Sequence, residues 1–445
     1  MSDSKRPDHF LRLGIHSEQG FFESNKDKYD IVVLNANLAF YFASATATLM
    51  SDKLKDKRYI IDPITHAFGH NPRYIMTEGS KGEPSRVKSS LEGLGNYYGA
   101  PISTAISIPT RPRPVTEKDF SSSRDIAQLA ERVITFQEKF LVDSIPEEDQ
   151  KYFTEAPSKI LRPCFFIAPY FYMESSTIDR WLKINQDLIT ESKKLFPKDK
   201  VYGEIVIDRG ILDNPTELKR IADAYLKLDV CDGYLLWISD LSEHDSALST
   251  LSGLKELIRT LKQSNKPIIN LFGGYFSLLL TKFGLSGVCH GPGYGEERDV
   301  IPVGGGLPTS KFYLTPIHQR LLYRHVEIMV RTPVWPSADD FYKEVCAGPT
   351  CKTTLDGNLN NFYKFGLEKI SQKKDRTYSF PTTEARFRTT QHYLEAKLQE
   401  FDEVAQKDLG GLIKQIQTAK KKYDHYMTGA QLRYLDTWVD VLQQA

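Results

Sequence analysis

The 445-residue chain has little of what marks several large protein classes. Cysteine is scarce: Cys164, Cys231, Cys289, Cys346 and Cys351 are five in all, an odd number in a long chain. That excludes a secreted disulfide framework and favours a reducing compartment. Neither sign of charge is in surplus, since 58 Lys+Arg stand against 57 Asp+Glu. The molecule as a whole therefore offers a polyanion no attraction, and any nucleic-acid contact needs a local basic face. No apolar run approaches the ~18 residues of a membrane span. The first thirty residues are charged throughout and lack the apolar core of a signal peptide. Internal repeats and low-complexity tracts are absent from the sequence. A soluble, cytoplasmic protein with no membrane partner is expected, and 40% hydrophobic with 26% charged residues is an ordinary globular composition.

What the sequence does contain is a recurring βα pattern. Eight short runs rich in Val, Ile, Phe and Tyr occur at 31–34, 59–62, 164–168, 201–208, 233–238, 267–272, 285–290 and 312–315. Stretches with helical spacing fill most of the gaps, and prolines fall beside the strands. The α/β class follows, as a (β/α)8 TIM-type barrel with an insertion after strand 2 and a C-terminal mainly helical extension. An open doubly wound sheet is the alternative, because strand number does not dictate closure. The expected boundaries are an N-terminal extension over 1–28, the barrel over 29–330 with a lid inserted at about 66–158, and the helical extension over 331–445.

In a barrel the chemistry gathers at the carboxyl ends of the strands. The polar residues there are Asp62, Asp208, Arg209, Asp240 and His290. A carboxylate ending a buried strand costs desolvation unless it is paired or used, which makes Asp62, Asp208 and Asp240 catalytic candidates, and His290 joins them as an acid, base or hydrogen-bond donor. The competing reading is a turn or cap residue, most pressing for Asp240 and for Asp213 and Asn214 in DNPTELKR. Glycines Gly273, Gly274, Gly291, Gly293 and Gly295, with Arg209, Glu296 and Arg298, would let a ligand approach the backbone closely. Cys289 and His290 are strand neighbours and face opposite ways, so they form no nucleophile–base pair. His290 is expected in the mouth, sharing one pocket with Asp62 and the loop 291–298. Arg111 and Arg113 in the insertion and Lys420, Lys421 and Lys422 near the C-terminus could steer a phosphate backbone, or form solvated faces. Cys346, Cys351 and His392 supply three zinc ligands where a structural site wants four, so no cofactor and no bound zinc are expected.

These pieces together resemble the tRNA-guanine transglycosylase superfamily, whose members exchange a nucleobase in RNA and whose relatives install deazapurines in DNA. The segment LNANLAFYFASATATLMSDKL followed by RYIIDPITHAFGH matches the helix and L-T-D-S-G-G-F-Q strand end, and places Asp62 on the family's base-recognising, proton-handling aspartate. YGEIVIDRG, PTELKRIADAYLKLDV and CDGYLLWISDLS match its F-G-I-V-Q-G-G strand, helix and D-G-Y-A-I-G-G-L-S strand. NLFGGYFSLLLTKFGLSGVCHGPGY matches the segment that carries the nucleophile. The resemblance spans roughly residues 30 to 400. It departs where the nucleophilic aspartate falls on Val288, where CFFIAPYF has no second base-recognising aspartate, where PGY replaces P-T-R, and where Gly348 takes the place of the second cysteine of the zinc motif.

The resemblance implies base exchange or base recognition in tRNA or DNA, on a purine or deazapurine. Asp62 would contact the base, with Asp208 or Asp240 as nucleophile or general base, and a protein partner or homodimer would be possible. Two alternatives stand beside it. One is a catalytically inactive nucleic-acid-binding or scaffold member of the superfamily; the other is a barrel lyase or isomerase that holds a phosphorylated metabolite at the glycine loops.

Overall fold

Alternating side chains sort the strands of this chain into a ring with two distinct faces. The computed structural model describes residues 6–70, 75–78, 84–107, 112–151, 161–293, 295–301, 311–373, 376–427 and 429–444. Eight parallel strands form one sheet: β1 (Asp8–Leu13), β2 (Ile31–Asn35), β3 (Arg58–Asp62), β4 (Phe166–Ile167), β5 (Val201–Asp208), β6 (Gly233–Ser239), β7 (Ile268–Asn270) and β8 (Gly287–His290). They run in the order β3-β2-β1-β8-β7-β6-β5-β4. At the seam between β3 and β4 the Cys164 amide donates to the Tyr59 carbonyl at 2.9 Å, so the sheet comes round into a nearly closed barrel. The expected (β/α)8 architecture is therefore present, and the open sheet is not.

The two faces carry separate apolar clusters. Phe10, Val33, Ile60, Tyr202, Val206, Leu235 and Cys289 pack inside the barrel, while Leu11, Leu13, Leu34, Ile61, Ile205, Ile207 and Val288 pack outward against helices. The period of two then assigns the polar residues: Arg12 follows Phe10 inward, Asp62 follows Ile60, and Glu204 lies between Tyr202 and Val206 on the inner face. Outside run the helices Ser123–Asp143, Ile178–Leu195, Pro215–Leu226 and Leu248–Lys262. Asn214 caps the third of these, with Pro215 in its first turn, by accepting from the Thr216 and Glu217 amides. Asp213 instead accepts from Thr250 Oγ1 at 2.9 Å.

Three boundaries need correction. Residues 1–28 are not an extension outside the barrel, because Asp8–Leu13 is its first strand and joins β2 to β8. The run 312–315 is not the eighth barrel strand; Lys311–Leu314 pairs antiparallel with Gln319–Leu322 in a separate hairpin. The long connection consequently follows the third strand, and it is no lid as a unit. Its helix Ser123–Asp143 serves as an ordinary outer helix of the barrel, where Gln137 bonds both to the Ile167 amide (2.9 Å) and to its carbonyl (2.7 Å).

The C-terminal part is mainly helical and starts with the Lys311–Leu314 hairpin. Its helix Thr383–Gln406 covers the outer face of β1 and β8, where Phe401 stacks on His9 at 4.2 Å. The last helix, Arg433–Gln443, is tied to the barrel by Lys255 Nζ, which donates to the Val441 and Gln444 carbonyls, and by Trp438 Nε1, which donates to the Glu243 carbonyl. Among the described residues no helix is long and apolar enough to cross a membrane.

Candidate active site

At the carboxyl end of β3, the buried Asp62 is fully engaged. Its Oδ2 accepts from Arg12 Nη1 at 2.9 Å, and its Oδ1 accepts from Tyr170 Oη at 2.6 Å and from the Ile64 amide at 3.0 Å. Burial opposes its charge, but Arg12 first and the Tyr170 hydrogen bond after it hold its carboxyl below the ordinary carboxylate range. Since the Tyr170 proton goes to Asp62, His66 Nδ1, 3.2 Å from the Tyr170 oxygen, is the donor in that contact. Burial pushes the His66 imidazole down to about 3, so the ring is neutral. A hydrogen-bonded chain therefore runs from His66 through Tyr170 to Asp62.

Glu204, on the inner face of β5, is in the opposite state. It is 1% exposed, and among the described residues neither carboxyl oxygen has a hydrogen-bond partner. Burial, with Asp62 adding to it, raises its pKa well above the usual range, and Arg12 together with the nearby Tyr170 hydroxyl offsets this only in part. Among the described residues Arg12 Nε and Nη2 are buried without a hydrogen-bond partner, while Nη1 also donates to Asn35 Oδ1 at 2.5 Å and the guanidinium lies 4.5 Å from the Phe272 ring centroid. The barrel end thus holds a carboxyl biased toward its ionised form, a second biased toward its protonated form and, among the described residues, guanidinium N–H groups without a hydrogen-bond partner. Trp237, Phe272 and Tyr170 are buried in the same interior cluster.

Several sequence candidates do reach this end of the barrel. Asp208 accepts from Tyr172 Oη at 3.1 Å and from the Gly210 amide at 2.8 Å. Arg298 places its guanidinium over Trp237 and Phe272, 5.9 and 5.7 Å from their centroids, and its carbonyl takes the Trp237 indole N–H at 3.0 Å. Asp240 and Arg209 are rim residues instead: Asp240 is 71% exposed in a left-handed turn and pairs with Arg209 at 3.7 Å. The turn reading of Asp240 is the correct one.

His290 does not line the mouth. On β8 the parity that turns Cys289 inward turns His290 outward, where its Nε2 meets His9 Nε2 at 2.8 Å and its ring meets Tyr393. Cys289 is the inward residue, with its thiol pushed up to about 12 by burial, so it is no thiolate nucleophile. Glu296 also sits outside the barrel, bound by Lys397 Nζ at 2.9 Å and Tyr393 Oη at 2.7 Å.

The glycine loop after β7 is already filled. Glu243 accepts from the amides of Gly274, Phe276 and Ser277 and from Ser277 Oγ, so these donors serve an internal carboxylate rather than an external anion. A Cβ on Gly274 would stand 2.8 Å from Glu243 Oε2, and one on Gly273 only 2.6 Å from Ser277 Oγ, which is why both positions are glycine. Gly291 accepts from His290 Nδ1 through its carbonyl, Gly295 has φ +126 and packs on the Gly291 amide, and a Cβ on Gly293 would meet open space. They shape a turn after β8.

The basic candidates are mostly neutralised. Arg113 is bidentate to Asp119, Lys420 pairs with Asp436 at 2.6 Å and Lys422 with Glu344. Lys421 is exposed, and Arg111 lies outside the described residues. Away from the barrel mouth, Cys346, Cys351 and His392 bring their donor atoms within 4.8 Å of one another. His392 Nε2 is 2.7 Å from the Tyr313 carbonyl, which can only accept, so Nδ1 is the bare nitrogen facing Cys351 Sγ at 3.2 Å. The Gly348 amide donates to Cys346 Sγ at 3.3 Å. Two thiols, an oriented imidazole and second-layer hydrogen bonds fit zinc, which would act there as a structural tie.

Arg12, His66, Tyr170, Glu204 and Trp237 were not singled out by sequence. A glutamate inside the apolar run YGEIVID, in phase with Asp208, was the one available signal.

No family model matches the chain, and no curated protein matches it. Solved structures of TsXylA, an intracellular xylanase from Thermoanaerobacterium saccharolyticum, align over part of it. A mutant with xylotriose gives a TM-score of 0.34 at 10% identity, covering 67% of this chain and 88% of that one. A mutant with xylotetraose gives 0.33 at 11% identity, covering 67% and 87%. Similarity of this degree carries nothing about substrate.

Proposed function

We propose that this barrel is a nucleobase-handling enzyme of the tRNA-guanine transglycosylase type, acting on a purine or deazapurine in tRNA or DNA. The observation that carries the reading is a pair of buried carboxyls that share Arg12 in one barrel end and are shifted in opposite directions, Asp62 down and Glu204 up. Separated pKa values of this kind divide acid from base or anion in glycosidic chemistry. Releasing a base from C1′ of its sugar needs a proton on the leaving ring and negative charge near the cation that develops on the sugar. Glu204 gives its proton to the departing base as the C1′–N bond breaks, and Asp62, steadied by Arg12 and Tyr170, faces the developing cation. The incoming base bonds to C1′ through a ring nitrogen and returns its N–H proton to Glu204. A flipped base would stack among Trp237, Phe272 and Tyr170, offering acceptors to Arg12 and N–H donors to the carboxyls.

Among the described residues Asp62 already accepts two hydrogen bonds on Oδ1 and one on Oδ2, with one acceptor position left on Oδ2 for a base N–H, so its role is electrostatic rather than nucleophilic. Val288, at the position matched to the family's nucleophile, packs outward and contributes none. The same feature favours the second reading, a member of the superfamily that binds a base without exchanging it. The phosphorylated-metabolite reading loses its anion site, since Glu243 holds the glycine-loop amides.

Radiolabelled guanine and a deazaguanine, offered with bulk tRNA and with DNA, test the proposal. Wild-type protein should incorporate label into one of the two polymers, and Glu204→Gln should lower the rate at least 100-fold, the lower range for a general acid. Binding of the free base without incorporation selects the second reading. Failure of the folded protein to bind either base rejects both.

A further inference from the structure

We infer that Glu395 is the fourth donor of a zinc site whose other ligands are Cys346, Cys351 and His392. The inference concerns the outer face of the molecule and does not depend on what the barrel mouth binds.

Three donors alone would leave a tetrahedral ion open on one side. The space beside the thiols is the telling feature. A Cβ built on Gly348 would stand 3.1 Å from Cys346 Sγ and overlap Glu395 Oε2, so the carboxylate occupies the volume that a side chain at 348 would need. The glycine and the glutamate are alternatives for one place. Glu395 follows His392 by three residues on the helix Thr383–Gln406, which puts both on one face, and it is 5% exposed.

The surroundings suit a ligand carboxylate. Oε1 accepts from Thr350 Oγ1 at 2.8 Å and pairs with Lys28 Nζ at 3.0 Å, while Oε2 takes the Thr350 amide at 3.1 Å and lies on the Gly348 side. Ligating carboxylates are usually held in this way by a second layer. Charge also balances. Two thiolates and one carboxylate exceed the charge of a divalent ion by one, and the Lys28 ammonium offsets that excess. Sulfur, nitrogen and oxygen donors in one small, buried cluster select zinc over magnesium or calcium. The ion would tie the segment 346–351 to the helix that backs β1 and β8, and Lys28, just before β2, would join through its ion pair with Glu395.

Elemental analysis of the full-length protein and titration with cobalt(II) test this. Wild type should hold one zinc per chain, and its cobalt form should show tetrahedral d–d bands with thiolate charge transfer for two sulfurs. Glu395→Gln keeps the side chain's length and an acceptor for Thr350, and should weaken zinc in a chelator competition by roughly 10- to 100-fold while shifting the cobalt d–d bands. The double variant Glu395→Ala with Gly348→Cys should regain tight zinc, with charge-transfer intensity for a third thiolate. A metal-free wild type overturns the inference. So does a Glu395→Gln protein whose zinc affinity and cobalt spectrum equal those of wild type. Circular dichroism of Glu395→Gln separates loss of the ligand from loss of the fold: weakened zinc in an unfolded variant counts against the assignment unless the double variant restores both.

Discussion

Asp62 and Glu204 are both carboxyls buried in the same barrel end, yet their replacement should move stability in opposite directions. Asp62→Asn leaves Arg12 without its counter-charge, and breaking a buried pair on one side costs about 3–5 kcal/mol. Glu204 contributes with the reverse sign. Because its folded pKa is raised, the folded state keeps a proton that the unfolded chain releases above the ordinary carboxylate value of 4.5, so it destabilises the protein increasingly as pH rises from 4.5 toward the raised folded value. Glu204→Gln should therefore be at least as stable as wild type at pH 7, and inactive if the acid role is right. Urea unfolding of the two variants at pH 7 checks the contrast, and a Glu204→Gln protein clearly weaker than wild type would mean that the carboxylate has a structural partner. A residue retained at a cost to stability is what a working site leaves behind.

The seam where β1 and β8 meet the helix Thr383–Gln406 is built on two neutral imidazoles. His290 Nδ1 donates to the Gly291 carbonyl, so its Nε2 accepts from His9 Nε2. Burial and the neighbouring Lys397 lower His290 to about 4, and burial together with His290 lowers His9 well below its ordinary value. The sign follows from proton counting: between pH 6.5 and about 4 the unfolded chain takes up a proton at position 290 that the folded one refuses. Stability from this group is complete above pH 6.5 and is lost toward pH 4, at up to about 1.4 kcal/mol per pH unit. His290→Leu should flatten the pH dependence of the thermal midpoint in that window. An unchanged slope would show that the pair is already charged in the native protein. The helix here takes the place a barrel helix would fill after β8, and its inward polar residues, Lys397 and Glu400, pair with each other at 3.0 Å.

The barrel as a whole depends on its ends. Asp8–Leu13 hydrogen-bonds to β2 on one side and β8 on the other, so it is interior to the sheet. A chain beginning at residue 29 should lose the ring, expose the inner faces of both neighbours, and be aggregated or lack a cooperative unfolding transition. A soluble, cooperatively folding protein of that length would show that β2 and β8 can pair without β1.

Composition and period were enough for the class of architecture. Runs such as IVVLN and GYLLWIS, apolar on both faces and separated by amphipathic helices, have few solutions other than a covered parallel sheet. They also placed Asp62 and Asp208 at strand ends, where the structure has them. The ends of the barrel were not legible, for a physical reason. DHFLRL reads as too polar for a buried strand until its partners are known, because Arg12 is paired inside with Asp62 and His9 outside with His290, residues 50 and 281 positions away. KFYL reads as a barrel strand because a short apolar run looks the same in a hairpin. The same holds for the site. Sequence shows that Cys289 and His290 face opposite ways, but which of them faces inward depends on the register of β8 against β1, and that is decided by tertiary packing. Likewise, a glycine loop can bind an outside anion or an inside glutamate, and only the fold brings Glu243 to it.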